Sequence, residues 1–188
     1  ANSLEVPEDD ALYREVSGLV EWPTVLLGSI DADFMELPRE VLTTSMREHQ
    51  KYFAISDGND GLDPKFAFVS NVETEHPEAI VSGNERVLRA RLSDAKYFWD
   101  LDLGTLLEDR VSGLEGIVFH AKLGSVGEKV SRVVELAGWL SEFVEGASRD
   151  AVERAARLAK ADLATGMVGE FPELQGVMGR YYAVAQNE

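Results

Sequence analysis

The sequence predicts an α+β fold: a mixed helix/strand N-terminal portion with a β-hairpin, followed by an all-helical portion. Three observations predict it. First, two β-prone runs, Lys51-Tyr52-Phe53-Ala54-Ile55-Ser56 and Lys65-Phe66-Ala67-Phe68-Val69-Ser70, flank the turn formers Asp57-Gly58-Asn59-Asp60-Gly61, the pattern of a hairpin. Second, apolar residues recur at helical spacing through Asn84–Trp99 and again through Ser125–Phe143. Third, strand-like runs nearly cease after about residue 112, and that composition shift sets a boundary between residues 1–112 and 113–188.

Each element has a local reason. Asp9–Leu19 reads as a short helix capped by an acid, with Leu12, Val16 and Leu19 on one face. Pro23 interrupts, and Thr24–Ile30 is an apolar run that reads as a buried strand. Leu37-Pro38-Arg39-Glu40 opens a second helix, with Pro38 suited to its first turn, running to about His49. Pro77 opens a long helix that should end near Gly104, and a short one follows over Leu106–Val111. Ile117-Val118-Phe119 is a brief extended piece. Ser125–Phe143 is helical, Gly146-Ala147-Ser148 breaks it, and Asp150–Thr165 is the next helix. Phe171-Pro172 breaks again before Leu174–Val184. Ala1-Asn2-Ser3 is read as a cloning scar, and the ending at Ala185-Gln186-Asn187-Glu188 as that of an excised, truncated piece.

At 188 residues and 45% hydrophobic, the chain is long enough to bury a core. No apolar run approaches the ~20 residues that span a bilayer, and no basic-then-apolar leader pattern is read in the sequence, so secretion is not expected. There is no cysteine, hence no disulfide, zinc–cysteine site or thiol nucleophile. The expectation is a soluble, cytoplasmic protein without a membrane partner. A formal net charge of −16 argues against diffuse attraction to nucleic acid.

That charge is unevenly distributed. Glu5–Glu40 holds ten acids against Arg14 and Arg39, whereas Asn84–Lys96 holds four bases, Arg86, Arg89, Arg91 and Lys96, against Glu85 and Asp94. On a helix, Leu88, Leu92, Ala95, Phe98 and Trp99 share one face, while Arg86, Arg89, Ser93 and Lys96 share another. The second face is either a set of salt-bridge partners for surrounding acids or a contact surface for phosphate, to which forked guanidinium donors are suited. Arg91 falls inside the apolar stripe and is read as a structural ion pair, because an unpaired buried charge is costly. Arg47, His49, Gln50 and Lys51 form a second polar cluster at a helix-to-strand junction. His49 lacks the partners of a nucleophilic triad. Gly124-Ser125-Val126-Gly127 lacks the lysine of a phosphate-binding loop.

Six ordered blocks carry a resemblance: GLVEWPTVLLGSID (18–31), LPREVLTTSMREHQKYF (37–53), VSNVE (69–73), GNERVLRARLSDAKYFW (83–99), VFHAKLGS (118–125) and AKADLATGMVGEFPELQGVMGRYYA (159–183). Together they closely resemble the β subunit of the bacterial two-subunit glycyl-tRNA synthetase, along nearly the whole chain. The resemblance implies an internal fragment of that subunit, part of a central mixed domain followed by the start of a helical, HD-like domain. In that family the α subunit holds the aminoacylation site and uses glycine, ATP and Mg2+. The β subunit binds tRNA and is needed for activity.

The expected function is therefore support of tRNA(Gly) binding and of assembly with the catalytic α subunit, and with a second β subunit of the heterotetramer, in ATP-dependent glycylation of tRNA. The fragment itself is expected to hold no catalytic residue, cofactor or metal. The resemblance makes Arg86, Arg89 and Lys96 tRNA-contact candidates, with Arg47 and Lys51 behind them. HD phosphohydrolases hold a divalent metal through His and Asp; His120 and Asp162 fall at matching positions. The histidine of the adjacent pair is replaced by Ala161, with Lys160 beside it, so the site reads as degenerate. Two alternatives stand beside this reading: a metal-dependent HD-type phosphohydrolase and a purely structural interaction module.

Overall fold

A computed structural model describes residues 4–59 and 61–188. Ala1-Asn2-Ser3 and Asp60 of the expected turn lie outside the described residues. The chain forms two compact units that divide between Tyr97 and Phe98. The division falls inside the long helix, upstream of the composition shift at residue 112.

In the first unit, helix α1 (Asp10–Leu19) starts where the Asp9 carboxylate accepts the Leu12 N–H at 2.9 Å, satisfying one of the orphan donors of a helix start. Leu12 and Val16 are buried, but Leu19 is exposed. Strand β1 (Thr24–Ser29), β2 (Phe53–Ser56) and β3 (Leu62–Ser70) form an antiparallel sheet in the order β1-β3-β2. The expected hairpin is β2–β3, in the register Phe53↔Ala67 and Ala54↔Phe66. Its turn is built by Asp57, whose Oδ1 accepts the N–H groups of Asn59 and Gly61 at 2.8 and 2.9 Å.

Strand β1 is not the buried strand that its apolar run suggests: Val25 and Leu27 are 67% and 48% exposed. It lies at the sheet edge, and alternation turns those two side chains outward. The next residue, Gly28, faces the Phe66 ring so closely that a Cβ there would lie 2.4 Å from it. Tyr52 stacks on Phe66 with centroids 4.8 Å apart. Its hydroxyl donates to Asn84 Oδ1 at 2.6 Å, tying the sheet to the next helix.

Helix α2 (Arg39–Thr44) continues as a π-helical turn over Ser45–Gln50. Lys51 ends it in the left-handed region, at φ 59°, a conformation uncommon for a residue with a Cβ. Helix α3 (Pro77–Leu103) is the long helix expected from Pro77. Leu88, Leu92 and Ala95 on its apolar stripe are fully buried, and Phe98 and Trp99 are half-buried.

The second unit contains α4 (Leu107–Arg110), the two-stranded β4 (Val118–His120) and β5 (Gly124–Ser125), α5 (Val126–Ser141), α6 (Arg149–Leu158), α7 (Gly166–Glu170) and α8 (Val177–Ala185). Ser125 and Glu128 close a reciprocal capping box at the start of α5, at 3.0 and 2.7 Å. The helix expected over 150–165 ends at Leu158, and a 3-10 turn follows over Ala161–Ala164. Thr165 then caps α7 by accepting the Val168 N–H at 3.2 Å. Gly176, at φ 82°, sets the start of α8 three residues later than expected. Leu107, Leu114, Met167, Phe171, Leu174, Met178 and Tyr182 fill this core. No helix among the described residues is long and apolar enough to cross a membrane.

Candidate nucleic-acid interface

The basic face of α3 is largely charge-paired. Arg89 donates through Nε and Nη2 to the two oxygens of Asp31, at 2.6 and 3.0 Å. This forked pair is half solvent-exposed, 49% on the arginine side and 46% on the aspartate side. The Arg89 guanidinium holds the Asp31 carboxyl below its ordinary value. Lys96 Nζ lies 3.8 Å from Glu36. Arg86 differs: it is exposed and, among the described residues, has no carboxylate partner. Arg91 is half-buried beside the apolar stripe.

The second candidate cluster is also paired. Arg47 Nε donates to Asp9 at 2.6 Å, and its Nη1 reaches Glu48. Asp9 thus caps α1 and binds Arg47 with one carboxylate, and the Arg47 hydrogen bond, followed by that of Leu12, pulls its carboxyl below the ordinary value. Lys51 Nζ is 3.0 Å from Glu15. Four of the five cationic candidates therefore meet four different acids of the Glu5–Glu40 block, Asp31, Glu36, Asp9 and Glu15, and among the described residues Arg86 is left over. Sequence reasoning weighed salt-bridge partners for these bases without naming which. The available signal was the ten-to-two excess of acids in Glu5–Glu40 facing the basic excess of Asn84–Lys96.

The positions that match an HD metal site are used differently. His120 is exposed, and its Nδ1 accepts the Lys122 N–H at 3.1 Å. Asp162 is wholly buried, and its Oδ2 accepts the N–H groups of Gly176 and Gly179, the latter at 3.2 Å. It clamps the start of α8 by backbone contact. Among the described residues no three His, Asp or Glu gather as a metal-binding group.

A buried polar network in the second unit escaped the sequence reading. Asp102 accepts the N–H groups of Gly166 and Met167 at 3.0 and 2.8 Å and the Tyr182 hydroxyl at 3.1 Å. Arg110 pairs with Asp102 at 3.0 Å and donates to the Ala164 carbonyl at 3.1 Å. Burial, then the Asp102 charge, pushes the Tyr182 hydroxyl far above its ordinary value, so it remains a donor. Every member is committed to holding α3, α4, α7 and α8 of this unit together, which is structural work.

In the first unit most of the candidate cations are spent on ion pairs, and Arg86 stays exposed without a carboxylate partner among the described residues. Similarity to known proteins supplies the larger context. The family described as "Glycyl-tRNA synthetase beta subunit" matches residues 1–188. Proteins named "Glycine--tRNA ligase beta subunit" from Phenylobacterium zucineum and Rhodospirillum centenum are 54% and 53% identical, over 99% and 100% of this chain. One from Citrifermentans bemidjiense is 52% identical over 96%. By their names these relatives are subunits of aminoacyl-tRNA synthetases, which are ligases. Within that class, the chain belongs to the glycyl-tRNA synthetase beta subunit family. It spans about a quarter of the length of these relatives, 28%, 27% and 26% respectively.

Proposed function

We propose that this region serves the ATP-dependent glycylation of tRNA(Gly) without catalysing it, by contacting tRNA phosphate and supporting assembly with the catalytic α subunit. ATP and Mg2+ are used on the α subunit in this reading. The carrying observation is Arg86: an exposed guanidinium on α3, without a carboxylate partner among the described residues, beside the half-exposed Arg89. A phosphate offers the same paired acceptor oxygens that Asp31 now offers Arg89. The acidic remainder of the chain, at −16 overall, repels RNA elsewhere and confines contact to this face.

Steady-state glycylation by the intact ligase tests this. Arg86→Glu should raise the KM for tRNA(Gly) and leave the KM values for glycine and ATP unchanged. An unaltered KM for tRNA, with the enzyme assembled and folded, contradicts the tRNA contact. The pairing of Arg89, Lys96, Arg47 and Lys51 favours a second reading, a structural interaction module. That reading is selected if the chain is retained by the α subunit yet shows no tRNA binding at low salt.

A further inference from the structure

Helix α5 is apolar on two adjoining faces, and only one is covered. Val126, Val130, Gly138 and Ser141 are buried on the inner face. At about 100° per residue, Val133, Leu136 and Leu140 fall on the adjacent sector, and Phe143 follows just past the helix end. They are 42%, 56%, 47% and 69% exposed. Trp139 meets Phe143 edge-on, 4.9 Å between ring centres. From Val133 to Leu140 no charged residue falls on this stripe; Lys129 lies on the same sector one turn earlier, and Arg132 and Glu135 border it. A solvated helix face is normally polar, and contiguous exposed apolar surface marks a contact.

We infer that this stripe seats another segment of the same β-subunit polypeptide: an amphipathic helix with apolar residues at matching spacing. Three observations select that occupant. The chain covers only 26–28% of its relatives, so in them most of the β-subunit polypeptide lies outside the aligned region. From Val133 onward the stripe is apolar, the character of a permanent contact rather than a transient one. A second copy is disfavoured because each carries a charge of −16. The inference rests on family membership and not on the tRNA reading, so each can fail alone.

The chain has no cysteine, and Leu136→Cys therefore places one thiol on the stripe. This variant is compared as the 188-residue chain and grafted in place of the aligned region of the Phenylobacterium zucineum β subunit. Maleimide labelling is read by mass spectrometry of the peptide, with Glu145→Cys as the exposed control. In the isolated chain the two thiols should react alike. In the grafted β subunit without α, Leu136→Cys should react about tenfold or more slower, because a packed face excludes reagent. Equal rates in the grafted subunit overturn the inference. Protection appearing only with α added overturns it too, assigning the stripe to the other subunit. So does protection in the isolated chain sedimenting as a dimer. Hydroxyl-radical footprinting of the unmodified Phenylobacterium zucineum β subunit over the aligned helix gives a reading without a graft. Low side-chain oxidation supports the inference, and oxidation typical of a solvated helix overturns it.

Discussion

Arg89 grips Asp31 with both arms of its guanidinium, at 2.6 and 3.0 Å, across 58 residues of sequence. The pair joins the basic α3 to the acidic N-terminal stretch, and it remains accessible to solvent on both sides. Such a pair is exchangeable, since its desolvation is slight and a phosphate matches the same fork. Asp31→Asn removes the competing charge. The expected result is tighter tRNA binding by the intact ligase at low salt, seen by fluorescence anisotropy, with the melting temperature almost unchanged. Unaltered affinity assigns Arg89 to folding alone.

Asp9 gives the first unit an acid sensitivity of defined sign. Its carboxyl is held below the ordinary value of 3.8 by Arg47 first and by the Leu12 N–H next. A depressed carboxyl contributes stability above its unfolded value and loses it as pH falls through the folded one. Asp9→Asn should therefore be less stable than the parent at neutral pH, with the difference closing below about pH 4. Asp9→Ala, which deletes the cap outright, should cost about 0.5–2 kcal/mol. Urea melts across pH 2–7 check both; a pH-independent difference refutes the linkage.

The buried Asp102 network is the most sensitive point of the second unit. Asp102→Ala strands Arg110 and leaves the N–H groups of Gly166 and Met167 without acceptors. Loss of one partner of a buried pair costs about 3–5 kcal/mol. Tyr182→Phe removes one hydrogen bond to a charged acceptor, about 1.5–3 kcal/mol. Denaturant unfolding of both variants should preserve that order. Equal losses would mean that Arg110 finds another partner.

The elements with strong local signals were legible: the hairpin with its Asp57 turn, the long helix from Pro77, and the helix beginning at Ser125. What escaped depended on tertiary partners. The uninterrupted apolar run of β1 does not reveal that the strand lies at an edge, with Val25 and Leu27 outward. The expected continuous helix over 150–165 breaks because Thr165 and Asp102 cap a new one at Gly166, and Asp102 lies 64 residues away in sequence. The cationic face was legible as residues but not as a surface, since the acids that pair with it come from another part of the chain. His120 and Asp162 were legible as positions resembling an HD metal site; their hydrogen bonds to Lys122, Gly176 and Gly179 are invisible to spacing.

The most direct test of the account is the salt dependence of tRNA(Gly) binding by the intact ligase carrying Arg86→Glu. A lost phosphate contact lowers the affinity and reduces the slope of log K against log salt by about 0.7–0.9 for each contact removed. The account predicts both changes with the melting temperature preserved. The same affinity and the same slope as the parent enzyme would contradict it.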